Sequence, residues 1–451
     1  MRRMRIAFFN LVALFLSSLL SLTAGENDWP AFRGSDARGV SHNEELPLEW
    51  GVDQNVKWKT PIPGRGWSCP VTWGDRVYLT TVFSHGKEEE AKPGLYFGGD
   101  RSEPPKADHD WKVLALDLNT GEIVWEKTVD QGPPRHSLHI KNSYATETPI
   151  TDGERIYAMF GNRGFYCLDL QGNLLWSKPL QPFKTRLGWG TASSPMLHEG
   201  RLYLVQDNEE KSSLVCLDAA TGSEIWSVPR DEKSNWSTPF LWKSSARTEI
   251  VTAGSKRMRG YDLEGKQLWE LGGGSANTCA TPYAVDDLLY VTSGYILDKK
   301  KPVFAVRPGA EGDITPAGDS AKDSPSIAWV ARQLAPYVPS TLVYEGQLYV
   351  LYDQGFLASV DAQTGKAVYG KQRLKNGTAF TASPWAYRDR IFCLSEDGKT
   401  AVITAGKKYA LERINELAED DMCMATPALA GNKLLIRTTA RLYCFEAPPE
   451  N

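Results

Sequence analysis

A line of sequence recurs along the chain: Asp, two or three residues, Gly, three residues, then an aromatic ring. It reads DLNTGEIVW from Asp117, DLQGNLLW from Asp169, DAATGSEIW from Asp218, DLEGKQLW from Asp262 and, with Tyr for Trp, DAQTGKAVY from Asp361. A second line precedes the copies: Ser or Thr, Pro, a turn, then an alternating apolar strand, as in TPITDGERIYAMF from Thr148 and TPYAVDDLLYVT from Thr281. With proline as register mark the copies begin at Pro70, Pro149, Pro195, Pro239, Pro282, Pro339, Pro384 and Pro427, at intervals of 79, 46, 44, 43, 57, 45 and 43. The two long intervals contain a polar insert at 84–110 and a Gly-, Pro-, Ser- and Asp-rich stretch at 308–326.

A period near 44 residues with four short strands per unit predicts propeller blades. Helical repeats of similar length are removed, because no 3.6-residue stripe is sustained beyond residue 24 while β-branched and aromatic residues alternate with period two. The eighth unit, ALAGNKLLIRTT then RLYCFEA, lacks its Asp-Gly-Trp hairpin, and NVKWKTPI near the N-terminus supplies Trp58 for the empty slot. The fold class is therefore all-β: an eight-bladed propeller of four-stranded antiparallel blades over 55–447, its last blade closed by an N-terminal strand, after an extension at 25–54. Such closure removes exposed sheet edges. Trp58, Trp125, Trp176, Trp226, Trp269 and Tyr369 are read as rings that dock blade on blade, since one fixed aromatic per repeat buries a large area.

The chain has 451 residues and a formal charge of −4, with 15 Trp, 18 Tyr and 15 Phe. A mildly acidic surface argues against nucleic acid as a partner, which needs many phosphate-neutralising cations. Residues 1–24 place Arg2, Arg3 and Arg5 before an apolar run and small residues, the order of a secretory signal. Its removal leaves no later apolar run long enough to span a membrane, and the expected location is periplasmic or secreted. The seven cysteines are odd in number, with no adjacent pair and no C-x-x-C. Cys167, Cys216 and Cys444 share one repeat slot and read as small buried hydrophobes.

DWPAFRGSDARGVS at 28–41, the segment 141–176, RDEKSNWSTPF at 230–240 and MCMATPA at 422–428 extend the likeness beyond the repeat. Together with D-x-x-T-G-x-x-x-W they resemble pyrroloquinoline-quinone (PQQ)-type β-propeller proteins, an exported family found in planctomycete-type bacteria. That repeat is shared with quinoprotein dehydrogenases and with outer-membrane barrel-assembly scaffolds. The resemblance implies three functions: a non-catalytic binding or scaffold propeller, a PQQ-dependent alcohol or sugar dehydrogenase, or an assembly scaffold. Quinoprotein chemistry calls for an adjacent Cys-Cys pair, Ca²⁺ ligands and an Asp base. The acidic runs at 207–210, 286–287 and 419–421 lack the alternating oxygen spacing of a Ca²⁺ loop. The expectation is no catalytic residue, no metal and no cofactor, with PQQ and calcium as the alternative. His136 and His139 form an H-x-x-H beside two prolines with no third ligand nearby, and read as an ordered loop. No Gly-rich phosphate loop with an H-R-D and no G-x-S-x-G occurs, which removes kinase and serine-hydrolase chemistry.

In a propeller the loop leading into each innermost strand opens on one face of the central channel. Those loops carry Arg65, Trp67, Lys141, Asn142, Tyr144, Arg186, Trp189, Asn235, Trp236, Asn277, Thr278, Tyr337 and Phe380, and the segment 422–424. Aromatics mixed with Arg, Lys and Asn suit stacking plus hydrogen bonding to a protein, a peptide or a polar small molecule. The anchors expected are Trp67, Trp189 and Trp236, with Arg65, Lys141 and Arg186 as polar contacts.

Overall fold

A computed structural model describes residues 25, 28–97, 103–161, 163–317, 324–418 and 421–448; the leader read at 1–24 lies outside them. Within these residues each repeat folds as one antiparallel sheet whose strands follow chain order from the axis outward, giving eight blades. Blade 1 is Val71–Trp73, Arg76–Ser84, His109–Asp117 and Ile123–Gly132. Its two middle strands are buried over long stretches of both faces, while the outermost strand is largely exposed. The middle strands are covered by the neighbouring blades, so they read as continuous apolar runs and not as alternating ones.

Blade 8 closes the ring as expected. Ala428–Ala430, Lys433–Arg437 and Arg441–Glu446 come from the C-terminus, and Val56–Pro61 adds the fourth strand with Trp58 opposite Cys444. The same opposition recurs: Trp125 faces Ala115, Trp176 faces Cys167, Trp226 faces Cys216 and Trp269 faces Gly260. A small residue on the third strand leaves room for the indole across the ladder.

Each indole then reaches the next blade. Trp58 Nε1 donates to the Leu118 carbonyl at 3.0 Å, Trp125 to Leu170 at 3.0 Å, Trp176 to Ala219 at 3.0 Å and Trp226 to Leu263 at 3.2 Å. Every acceptor directly follows the Asp of the next blade's hairpin. The hairpin glycine completes the fit: a Cβ on Gly121 would lie 2.5 Å from Trp58, and one on Gly222 would lie 2.6 Å from Trp176. Both glycines also hold φ in the left-handed region, at +77° and +71°. The Asp-Gly-Trp line is thus an interlock between blades as well as a hairpin within one.

Two features differ from the sequence reading. Trp329 fills the slot in blade 5, opposite Ala305, and donates to the Ala362 carbonyl at 2.8 Å. The 308–326 insert had separated it from a recognisable hairpin; part of that insert, Gly312–Asp313, runs parallel along the outer edge of blade 4. In blade 6 the innermost strand begins at Leu342, so Thr341 holds the proline slot and Pro339 precedes it by two residues. Trp269 is the exception among the tryptophans, donating to Glu249 Oε2 at 2.6 Å within its own blade.

The N-terminal extension straps the axis-facing edges of the innermost strands. Trp29 exchanges backbone bonds with Thr72 of blade 1, the Pro30 carbonyl accepts from Thr151 of blade 2, and Gly39 and Ser41 bond Ala386 of blade 7. We expect Trp58→Ala, which removes the interlock at a buried ring on the closing strand, to cost about 3–5 kcal/mol in urea unfolding. The half-buried Trp226 should cost less when cut to Ala, about 2 kcal/mol. A cost below about 1 kcal/mol for Trp58→Ala would contradict the interlock.

Candidate functional site

The residue just before each innermost strand's proline slot points at the axis, and these residues form a ring. Cys69 N donates to Thr148 Oγ1 at 3.0 Å, Thr148 N to Ser194 Oγ at 3.0 Å and Ser194 N to Thr238 Oγ1 at 3.1 Å. Across the ring Thr281 N donates to Ser340 Oγ at 3.0 Å, Ser340 N to Ser383 Oγ at 3.0 Å and Ser383 N to Thr426 Oγ1 at 2.9 Å. The Cys69 thiol meets Thr426 and completes that side. Between blades 4 and 5 the bridge shifts to Ser237 Oγ donating to the Ala280 carbonyl at 2.9 Å, and Thr281 Oγ1 has no partner. Buried backbone N–H groups need acceptors, and the Ser or Thr that marks the register supplies one from the next blade.

Above this ring lies a cavity of about 450 Å³. Trp67, Trp189, Trp236, Tyr295 and Tyr337 wall it from five blades, and Phe32 of the strap closes part of its floor. Trp189 and Trp236 lie with ring centres 5.8 Å apart, and Tyr295 meets Tyr337 edge-on at 5.2 Å. Leu297 and Phe97, 64% and 57% exposed, stand at the rim.

Six of the thirteen loop residues singled out in the sequence line this cavity: Trp67, Lys141, Asn142, Trp189, Trp236 and Tyr337. The others stand behind or beside it. Arg65 bonds the Ile140 and Glu89 carbonyls and covers the Trp67 ring. Arg186 lies over Tyr295, Tyr144 donates to the His136 carbonyl, and Asn235 bonds Asp207. Thr278 donates to Gly254, Asn277 is buried, and Phe380 packs in the blade 6–7 core.

The blade 1 insert supplies residues that the sequence reading left out. Gly94, Leu95, Tyr96 and Phe97 line the mouth. Lys141 Nζ bonds Gly94 O and Glu396 Oε1, both at 2.6 Å, and Glu396 Oε2 accepts from Gly94 N at 2.8 Å. The insert is thereby tied to the loop before blade 2 and to blade 7. His139 Nε2 bonds the Tyr96 carbonyl at 2.9 Å, while His136 is buried, which pushes its pKa down to about 4. Among the described residues no three His, Cys, Asp or Glu side chains are grouped to hold a metal ion. Among the described residues the lining contains no Asp or Glu. Three acids lie one layer back: Glu396 accepts from the lining Lys141 and Thr381 side chains, Asp353, raised to about 6 by burial, accepts from the Tyr337 and Val338 amides, and Glu147, between two lining threonines in sequence, is raised to about 7 by burial.

The family profile described as outer membrane protein assembly factor BamB matches residues 97–181 and 166–310. Over 117 residues the chain is 28% identical to the outer membrane protein assembly factor BamB of Kangiella koreensis, a match spanning 26% of this chain and 26% of that relative. Its fold superposes on BamB from Moraxella catarrhalis with a TM-score of 0.57 at 12% identity, covering 87% of this chain and 99% of that one. A europium-containing methanol dehydrogenase gives 0.59 at 10% identity, covering 94% and 98%.

The chain is a PQQ-like β-propeller.

Within that PQQ-like ring, Glu147 offers a test of how dry the wall is. Well below pH 4.5 the carboxyl is protonated in folded and unfolded chains alike; from there up to about 7 the unfolded chain ionises and the folded one does not, so stability falls as pH rises. Glu147→Gln should therefore match the parent at about pH 3.5 and exceed it by about 3 kcal/mol at pH 8. A difference independent of pH in chemical unfolding would contradict the burial.

Proposed function

We propose that this chain is an exported binding or scaffold propeller that holds a partner at the mouth of its central channel without redox turnover. The observation that carries this is the cup itself: aromatic walls drawn from five blades, an exposed apolar rim and a hydroxyl ring at the base, with no carboxylate on the lining among the described residues. Such a surface suits capture of an apolar group with a polar tip, from a protein, a peptide or a small molecule. Export is supported by the leader composition and by the description of the assembly-factor relative. No helix among the described residues is long and apolar enough to cross a membrane.

Two further readings have their own support. The BamB profile and relative favour an outer-membrane assembly scaffold, in which the partner is a protein. The likeness to dehydrogenases favours a PQQ enzyme, but the described residues do not fit Ca²⁺-bound quinone at the channel: among them the lining offers no Asp or Glu ligand, and its lysine is engaged by Glu396. Carboxylate oxygens are what hold Ca²⁺ in protein sites.

The deciding assay adds PQQ, Ca²⁺ and an artificial electron acceptor to the full chain and screens alcohols and sugars. The expected result is no turnover above a protein-free control. Turnover that disappears when the quinone is omitted would overturn the binding reading.

A further inference from the structure

The outer edge of blade 4 is occupied by the chain itself. Gly312–Asp313, from the insert in blade 5, lies parallel to the outer strand Gln267–Leu271 and pairs with Trp269 and Glu270. Ile314 N donates to the Glu270 carbonyl at 2.9 Å, and Gly272 N donates to Thr315 Oγ1 at 2.6 Å. Beside this added strand Trp269 is fully buried, and Leu268 packs against the apolar cluster that contains Ile314. Blades 1 to 3 have no such cover among the described residues: Trp125, Trp176 and Trp226 are half-buried, and the residues before them, Val124, Leu175 and Ile225, are exposed.

The repeat register shows which open edge can take a strand from outside. Gly272, three residues after its tryptophan, turns its N–H outward to the added strand. The same position holds Pro179 in blade 2, Pro229 in blade 3 and Pro61 in blade 8, and proline has no N–H to give. The outer strand of blade 7, Leu411–Glu416, is bonded by the N-terminal extension through Asn415 to the Leu48 carbonyl and Arg413 to Glu49. Blade 5's outer strand, Ile327–Ala331, has no exposed residue, and blade 6's, Ala367–Arg373, exposes Lys371 and Arg373 without a large apolar side chain. Edge lysines and prolines of this kind keep strands from pairing.

Blade 1 differs from all of these. Thr128 holds the Gly272 position and carries an N–H. Trp125-Glu126 repeats the Trp269-Glu270 pair that accepts the added strand in blade 4, and Glu126 is neutralised by Lys112. Ile123 and Val124 are both exposed, Val124 by 47%. Lys127 stands where blade 4 has Leu271, and its methylene stem offers an apolar floor. This outer strand, Ile123–Gly132, is ten residues long, against five to seven in the other blades.

We propose that the outer edge of blade 1 docks an extended segment of a partner protein, added parallel to Ile123–Gly132 as Gly312–Asp313 is added in blade 4. The segment carries an aliphatic side chain and then a hydroxyl, in the places of Ile314 and Thr315, and it covers Val124 and the half-buried Trp125. Main-chain bonds hold such a segment and side-chain contacts select it. The surface lies on the outer rim and is independent of the reading of the channel mouth.

The test titrates a fluorescein-labelled peptide with the sequence of residues 308–316, PGAEGDITP, into the full chain and follows its anisotropy. It should bind about tenfold more tightly than a scrambled peptide of the same composition. Thr128→Pro, which copies the proline of blades 2, 3 and 8, should abolish that preference, while Thr128→Ala keeps it and both hold the parent's melting temperature. If Thr128→Pro fails to fold, Val124→Asp takes its place and should weaken binding about tenfold. No preference over the scrambled peptide, or a preference that survives the blade 1 substitution, would overturn the proposal. Loss on Gly272→Pro with Thr128→Pro unaffected would mean exchange at blade 4 and would overturn it as well. A concentration-dependent dimer of the parent that Thr128→Pro dissolves would put a second copy on this edge in place of a partner protein.

Discussion

An indole laid against a glycine of the next blade is the contact on which the ring depends. The Trp of one hairpin donates to the carbonyl after the Asp of the next, and the glycine between them has no Cβ because the ring fills that space. The hairpins of blades 1, 2 and 3 are thus each host to one neighbour's ring and send a ring to the next blade. Trp58 makes the interlock circular, since it is carried by the N-terminal strand yet docks on blade 1. Loss of one contact is felt by two blades.

At the axis a second set of contacts runs parallel to the first. In six of the eight blades the amide before the innermost strand is satisfied by the next blade's hydroxyl, so much of the inner circumference is fixed by side chains and much of the outer one by indoles. Holding both rims leaves the loops above free to vary in sequence without loosening the sheet. The aromatic mouth is built on those loops, with the strap across one end of the channel and the blade 1 insert tied over part of the other.

The repeat made the blades and their closure legible, because Asp, Gly and Trp are demanded by local geometry and recur at a fixed period. It also brought six of the thirteen loop residues to the cavity. The rest were missed for physical reasons. Pro339 mimics a register mark although Thr341 holds the slot, and an insert hides Trp329. Leu95, Tyr96 and Phe97 are three apolar residues in a polar insert, a signal visible in the sequence but not one that says where the insert folds back. The Ser and Thr before each proline were legible as register marks, while their role as a ring appears only once the blades are closed. No pattern marks Arg33, whose burial depends on a bond to the Thr341 carbonyl of blade 6, more than two hundred residues away in sequence.

The central claim is that the aromatic wall at the mouth of the channel is a binding surface and not a plug. Anomalous scattering from crystals soaked with 6-bromo-2-naphthol tests it most directly. The account predicts a bromine peak among Trp67, Trp189 and Trp236. Bromine found only on the outer faces of the blades, with the mouth empty, would contradict it.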